Sequence, residues 1–139
     1  MERTLTIVKP DSVAAGHTGD ILAHLEGAGF RILAVRRMHL TEAQARAFYE
    51  VHQDRPFYNS LVEFMTSGPA VAVALERENA VLGLREVMGA TDPAAADEGT
   101  VRANWGTSIE RNAIHGSDSP ENAQLELQFF FSRADLISA

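Results

Sequence analysis

Eight consecutive residues, Asn112-Ala113-Ile114-His115-Gly116-Ser117-Asp118-Ser119, surround an imidazole with an amide, a glycine, two hydroxyls and a carboxylate. That set suits phosphoryl transfer through a covalent histidine intermediate. A neutral imidazole, whose ordinary pKa is about 6.5, attacks phosphorus without first losing a proton. A glycine beside it would let a large anion approach the backbone. A hydroxyl or carboxylate can hold the ring in one tautomer. A histidine-glycine pair alone also occurs in ordinary surface turns. The specificity lies in the octapeptide as a whole.

The cations are skewed. Of the 12 basic residues only Lys9 is a lysine, and the rest are arginines. Lys9 ends an apolar run, where a strand would point it into the protein's functional edge. A compact ammonium on a flexible stem serves phosphate differently from a planar guanidinium. The net charge of −7 disfavours general or sequence-specific nucleic-acid binding, which relies on a basic surface. It leaves room for a small basic pocket. There are no cysteines, which excludes disulfides and cysteine metal sites. No apolar run approaches the roughly 18 residues a membrane helix needs. The start of the sequence, Met1-Glu2-Arg3 running directly into a strand-like segment, leads us to expect no signal peptide. The expectation is a single domain over residues 1–139, cytoplasmic, with no membrane partner.

The elements that must position these groups can be read from periodicity. Thr4 to Val8 alternates and is β-branched, which predicts a strand. Thr18 to Ala28 places Ile21, Leu22 and Leu25 on one helical face, and Gly29 stops it. Phe30 to Met38 reads as a strand, with Phe30, Ile32 and Ala34 alternating against Leu33 and Val35. Thr41 and Gln44 form a capping box that opens a helix to about His52. A short helix over Asn59 to Thr66, a strand over Ala70 to Leu75 and a helix over Asn79 to Met88 follow, the last ended by Gly89. Thr91 to about Arg111 shows little periodicity and reads as a long functional loop. Asn112 to His115 is a short strand. Ser119-Pro120-Glu121 is a helix start, with cap, proline and acid in sequence. That helix carries Glu126 and buries Ala123, Leu127 and Phe130, and Phe129-Phe130-Phe131 reads as core, with an oligomer contact as the alternative. The order βαββαβ with extra helices is the α+β, ferredoxin-like pattern: an antiparallel sheet with helices packed on it.

The octapeptide resembles the active-site signature of nucleoside diphosphate kinases. The likeness extends through Arg3-Thr4-Leu5-Thr6-Ile7-Val8-Lys9-Pro10-Asp11, Arg55-Pro56-Phe57-Tyr58, Met65-Thr66-Ser67-Gly68-Pro69 and Met88-Gly89-Ala90-Thr91-Asp92-Pro93, and ends beyond Glu126. The resemblance implies transfer of the γ-phosphoryl group from a nucleoside triphosphate to a nucleoside diphosphate, ping-pong, through a phosphohistidine. It makes His115 the nucleophile, and the resemblance implies the δ nitrogen, although the sequence itself does not show which ring nitrogen acts. Glu126 and Ser117 would orient the imidazole. Arg85, Arg102 and Thr91 would grip the α- and β-phosphates. Lys9 and Tyr49 would approach the γ-phosphate, and Asn112 and Lys9 the ribose hydroxyls. Phe57 would stack on the base, with Ile109 on the opposite face and Leu61 helping. Stacking reads a π-face, so broad base specificity is expected. Mg²⁺ would travel with the nucleotide phosphates, with Asp118 a candidate to reach it through water and no direct ligand in the chain. The family forms homo-oligomers, tetramers and hexamers above all. Trp105 departs from the usual residue in a loop that relatives use at subunit contacts, which bears on assembly and not on chemistry.

On residue type alone, each of these side chains has a plainer role. Glu126 and Arg85 could be solvated helix charges, Arg102 a loop cation, Tyr49 a core-edge aromatic, and Phe57, Leu61 and Ile109 ordinary core. His17, His24, His39 and His52 lack metal-site spacing and read as structural or solvated. Asp97-Glu98 reads as a solvated charge pair. Two other classes of function compete: a ferredoxin-like ligand-binding module without turnover, and a metal-dependent phosphatase or nuclease using His115 and Asp118. A P-loop kinase is disfavoured, because its glycine-lysine signature is missing.

Overall fold

In the computed structural model, which describes residues 1–137, the sheet is built outward from β1 (Glu2–Val8). Leu5 and Ile7 point to one face of that strand, and Thr4, Thr6 and Val8 to the other, all buried. A strand buried on both faces must lie centrally. β1 pairs with β3 (Ala70–Arg77) on one side and β4 (Ile114–Gly116) on the other, and β2 (Arg31–Met38) pairs with β3. The order is β2-β3-β1-β4 and every pairing is antiparallel, which is the ferredoxin-like arrangement.

Helices cover both faces. On one, Ile21 and Leu25 of α2 (Thr18–Gly27), Leu84 and Met88 of α5 (Ala80–Met88) and Val101 of α6 (Val101–Trp105) pack with Val8, Val73 and Ile114. On the other, Ala45 of α3 (Glu42–Phe48), Val62 and Met65 of α4 (Tyr58–Met65), and Leu127 and Phe130 of α7 (Pro120–Phe130) pack with Leu5 and Ile7. Each of these buried side chains larger than alanine contributes about 1.5–3 kcal/mol. The short α1 (Pro10–Ala14), with Pro10 at its first position, turns the chain away directly after Lys9.

Local signals explain most element ends. The Thr41–Gln44 capping box is formed in both directions. Ser119 Oγ accepts from the Asn122 N–H at 3.1 Å, and Pro120 opens α7. Gly89 ends α5 at φ 86°, and a Cβ there would strike Thr100 Oγ1 at 2.5 Å.

Four expectations are corrected. α3 ends at Phe48 and not near His52: the chain tightens into a 3₁₀ turn over Glu50–His52, which buries Tyr49 and leaves Val51 exposed. The alternation expected in β2 breaks at a register shift between Ile32 and Ala34. Ile32 therefore joins the α2 side, while Leu33 and Ala34 both pack toward α3 and α7. The stretch after Thr91 is not a plain loop. It holds a 3₁₀ turn at Pro93–Ala95, capped by Asp92, and α6, capped by Thr100. Finally, Phe130 and Phe131 are core, whereas Phe129 is 40% exposed.

Candidate active site

β4 is only three residues long, and its pairing decides where His115 points. His115 lies opposite Ile7, so its side chain shares the α7 face of the sheet. Its backbone oxygen accepts from Thr6 Oγ1 at 2.6 Å, a polar anchor that residue type alone does not single out. The strand starts later than the expected Asn112, because Ala113 sits in the left-handed region at φ 76°. That conformation is rare for a residue with a Cβ and stores about 1–3 kcal/mol. Asp11 Oδ2 accepts the Ala113 N–H, and the Ala113 oxygen accepts from Lys9 N at 2.9 Å, so the turn is fixed from both sides.

The imidazole is oriented from α7. Nε2 of His115 lies 2.8 Å from Glu126 Oε1, and Ser117 Oγ donates to the same oxygen at 2.8 Å. A carboxylate can only accept, so Nε2 carries the proton of a neutral ring and Nδ1 keeps its lone pair. The open question of which nitrogen is available therefore has a geometric answer. Gly116 has a different role from the one expected. A Cβ there would meet Met88 Sδ at 2.3 Å and Leu84 Cδ2 at 3.1 Å. The glycine lets β4 seat against α5, on the side away from the imidazole, and is not a window for an anion.

A buried polar chain leads from the end of β1 to the loop after α5. Lys9 Nζ donates to Asn112 Oδ1 at 2.9 Å, and Asn112 Nδ2 donates to the Thr91 oxygen at 3.0 Å. Lys9 is 8% exposed. Burial, with the nearby positive charge of Arg102 adding to it, lowers the ammonium's pKa from 10.5 to about 8, against the pull of Asp11 and Glu110. Arg102 is 7% exposed, so it is not a solvated loop cation. Its guanidinium donates to three backbone oxygens, those of Asn112 (3.3 Å), Gly89 (3.2 Å) and Ile114 (3.0 Å). It thus braces the residues on either side of Ala113. Burial, then repulsion from Arg85, brings its pKa down to about 10, and it stays charged near neutrality. Arg85 and Thr91 are exposed at the rim. Asp118 is also exposed. A hydrogen bond from Asn122 Nδ2 (2.6 Å) chiefly lowers its pKa, with Arg85 adding to the effect.

Two aromatic rings also flank the imidazole. Tyr49 lies edge-on to His115 with ring centroids 6.1 Å apart, and Phe48 does so at 5.5 Å. The Tyr49 hydroxyl is buried without a protein partner, and burial holds its pKa above the ordinary value. Phe48 is a neighbour of the imidazole that the sequence reading missed. Its only sequence signal is its place beside Tyr49 at the helix end. Farther out, Phe57 and Ile109 are 49% and 61% exposed, which is not ordinary core. Phe57 stands beside the His52 ring at 5.5 Å. Leu61, one turn on in α4, packs partly against the core. Ser60 Oγ donates to Glu110 Oε2 at 2.5 Å, linking the Phe57 wall to the residue next to Ile109.

The remaining histidines lie elsewhere. His17 and His24 flank Trp105 at 6.2 and 5.7 Å, and His39 Nε2 contacts the Thr66 oxygen at 2.7 Å. A cavity of about 360 Å³ bounded by Pro10, His17, Phe64, Trp105 and Arg111 lies apart from His115. Among the described residues no group of three or more histidines and carboxylates gathers as a metal cage, and no helix is long and apolar enough to cross a membrane.

Comparison with known proteins agrees with this geometry. A family model for nucleoside diphosphate kinase matches residues 2–136. The chain is 53% identical over 137 residues to a nucleoside diphosphate kinase of Persephonella marina, covering 99% of this chain and 98% of that protein. It is 56% identical over 137 residues to one from Methylobacterium sp., again covering 99% and 98%. The structure superposes on the Aquifex aeolicus nucleoside diphosphate kinase with a TM-score of 0.96 at 47% identity, covering 98% of this chain and 99% of that one. It superposes on a halophilic nucleoside diphosphate kinase from Halobacterium salinarum in complex with CDP with a TM-score of 0.94 at 38% identity, covering 99% and 92%. With its fold and nearly its whole length matched, this chain belongs to the nucleoside diphosphate kinase family of enzymes.

Proposed function

We propose that the enzyme moves the γ-phosphoryl group of a nucleoside triphosphate to a nucleoside diphosphate by way of His115, in two half-reactions at one site. The observation that carries this reading is the 2.8 Å contact between Nε2 and Glu126, which leaves Nδ1 as the nucleophile. In the first half-reaction the Nδ1 lone pair bonds to the γ-phosphorus. The bond from that phosphorus to the bridging oxygen breaks, and its electron pair stays with the departing diphosphate. In the second, a terminal β-phosphate oxygen of another diphosphate attacks the phosphohistidine, and the electron pair of the P–N bond returns to the ring. Donor and acceptor bonds are alike, so the exchange runs close to equilibrium.

The positive charges of Lys9, Arg85 and Arg102 attract the phosphates. Lys9, held by Asn112, stabilises charge on the transferred group, and Arg85 and Thr91 bind the rest of the phosphate chain from the rim. Arg102 spends three donors on the backbone and acts through its remaining N–H groups and its charge. Mg²⁺ enters as part of the nucleotide substrate: its oxygens and water can supply the coordination that no carboxylate cluster of the described chain offers. Phe57 and Ile109 sandwich the base by its faces, which makes base selection broad. Assembly as a homo-oligomer, tetramer or hexamer, and a cytoplasmic setting belong to the same reading, and light scattering tests the first.

The test is a label. Incubation with γ-labelled ATP gives an acid-labile, base-stable phosphoprotein that discharges on addition of any nucleoside diphosphate, and His115→Ala abolishes it. A protein that binds nucleotide without taking the label would instead be a ligand-binding module.

A further inference from the structure

We propose that Phe48 is a positioning residue for the transfer, a ring wedged between the His115 imidazole and the last turn of α7. It rests on the phosphohistidine reading above. The ring of Phe48 lies 5.5 Å from that of His115 at an interplanar angle of 73°. On its other sides it meets Phe129 at 5.3 Å and 68°, Phe130 at 5.0 Å and 45°, and Tyr49 at 4.9 Å and 89°. Edge-to-face packing at these separations is the favoured geometry for aromatic rings.

The location gives the contacts their consequence. Phe129 and Phe130 lie one helical turn after Glu126, the residue that accepts from the imidazole. One ring thus meets the imidazole directly and, through Phe129 and Phe130, the helix that carries the carboxylate. Phe48 is also the final residue of α3, and its position is fixed by the 3₁₀ turn that follows. A small shift of α7 relative to β4 would lengthen the 2.8 Å contact and release the ring to turn. The wedge opposes that shift. It also places hydrocarbon where water would otherwise approach the phosphorylated ring. Hydrolysis is the side reaction at stake: water attacks the phosphorus, the P–N bond breaks with its electron pair returning to nitrogen, and inorganic phosphate is lost.

Three readouts on Phe48→Ala and Phe48→Leu test the wedge, after a thermal melt establishes that each variant folds. They are the lifetime of the isolated phosphoenzyme, kcat, and KM for ADP. Phe48→Ala is expected to shorten the lifetime and lower kcat, each about tenfold, with KM within about twofold. Phe48→Leu, which restores apolar bulk, is expected to recover most of both. A Phe48→Ala lifetime and kcat within twofold of the parent would overturn the proposal, and so would a leucine variant as impaired as alanine. Should Phe48→Ala fail to fold, Phe48→Val takes its place and is read the same way. The parent's own labelling separates the two levels. A parent that takes no phosphate sinks the phosphohistidine reading itself, whereas a labelled parent with indistinguishable variants sinks only the wedge.

Discussion

At the end of the site proposed to handle phosphate, Lys9, Asn112, Ser117 and Arg102 are buried, and each already holds a partner within the protein. At the base end, Phe57 and Ile109 stand half-exposed, and the polar link recorded between their two walls is the Ser60–Glu110 hydrogen bond. The contrast follows from what each end must do. Charge that develops during transfer is stabilised best by donors whose positions are fixed beforehand and whose water has been removed. A base that is only stacked needs two apolar faces and no fixed hydrogen-bond partner. On the proposed reading, the site is rigid where chemistry happens and permissive where the base is held.

Substitutions at the two ends should have opposite kinetic signatures. The largest effect is expected from His115→Ala, which should lower transfer by at least about 10⁴-fold in kcat with nucleotide binding retained. Next comes Asn112→Ala, which strips the buried ammonium of Lys9 of its acceptor. It should reduce kcat/KM by roughly 10²-fold and stability by about 1–3 kcal/mol, read by steady-state kinetics and urea unfolding. At the other end, Phe57→Ala should raise KM for every nucleotide by the loss of about 1–3 kcal/mol of stacking while kcat stays nearly constant. A fall in kcat without a rise in KM would erase the distinction between the ends.

The pH dependence gives a milder test. Lys9 in the free enzyme has a pKa lowered to about 8, so nucleotide KM should climb as pH passes through that value and the ammonium is lost. Bound phosphate favours the charged form, so nucleotide binding near pH 8 should take up a proton, measurable by calorimetry in buffers of different ionisation heat. The stability sign is the reverse of the usual salt-bridge case. The unfolded chain holds this proton up to about pH 10.5, so Lys9 makes the unliganded protein relatively more stable as pH rises from about 8 to 10.5. The smallest effect is expected from Ser60→Ala. An exposed hydrogen bond contributes no more than about 1 kcal/mol, and KM should move only about twofold.

How far these features could be read in advance follows the same division between local and distant causes. The caps at Thr41 and Ser119, the stop at Gly89 and the alternation of β1 are short-range effects, and the sequence displays them. The approach of Glu126 to His115 was expected from the family resemblance, since an eleven-residue separation on a strand and a helix fixes no distance. What stayed hidden was decided by tertiary contact. The register shift in β2 depends on pairing with β3. Gly116 faces Met88, which lies on a helix far away in the chain. Arg102 looks like a loop cation until its three carbonyl acceptors are assembled around it. α6 spans five residues, too few for periodicity to register.

The central claim is that Glu126 holds one imidazole nitrogen so that the other can carry the phosphoryl group. Phosphorus–nitrogen NMR of the isolated phosphoenzyme, labelled at the histidine ring nitrogens, tests it directly. A single phosphohistidine, at Nδ1 of His115, is the predicted spectrum. Phosphate on Nε2, or on any residue other than His115, would contradict the account.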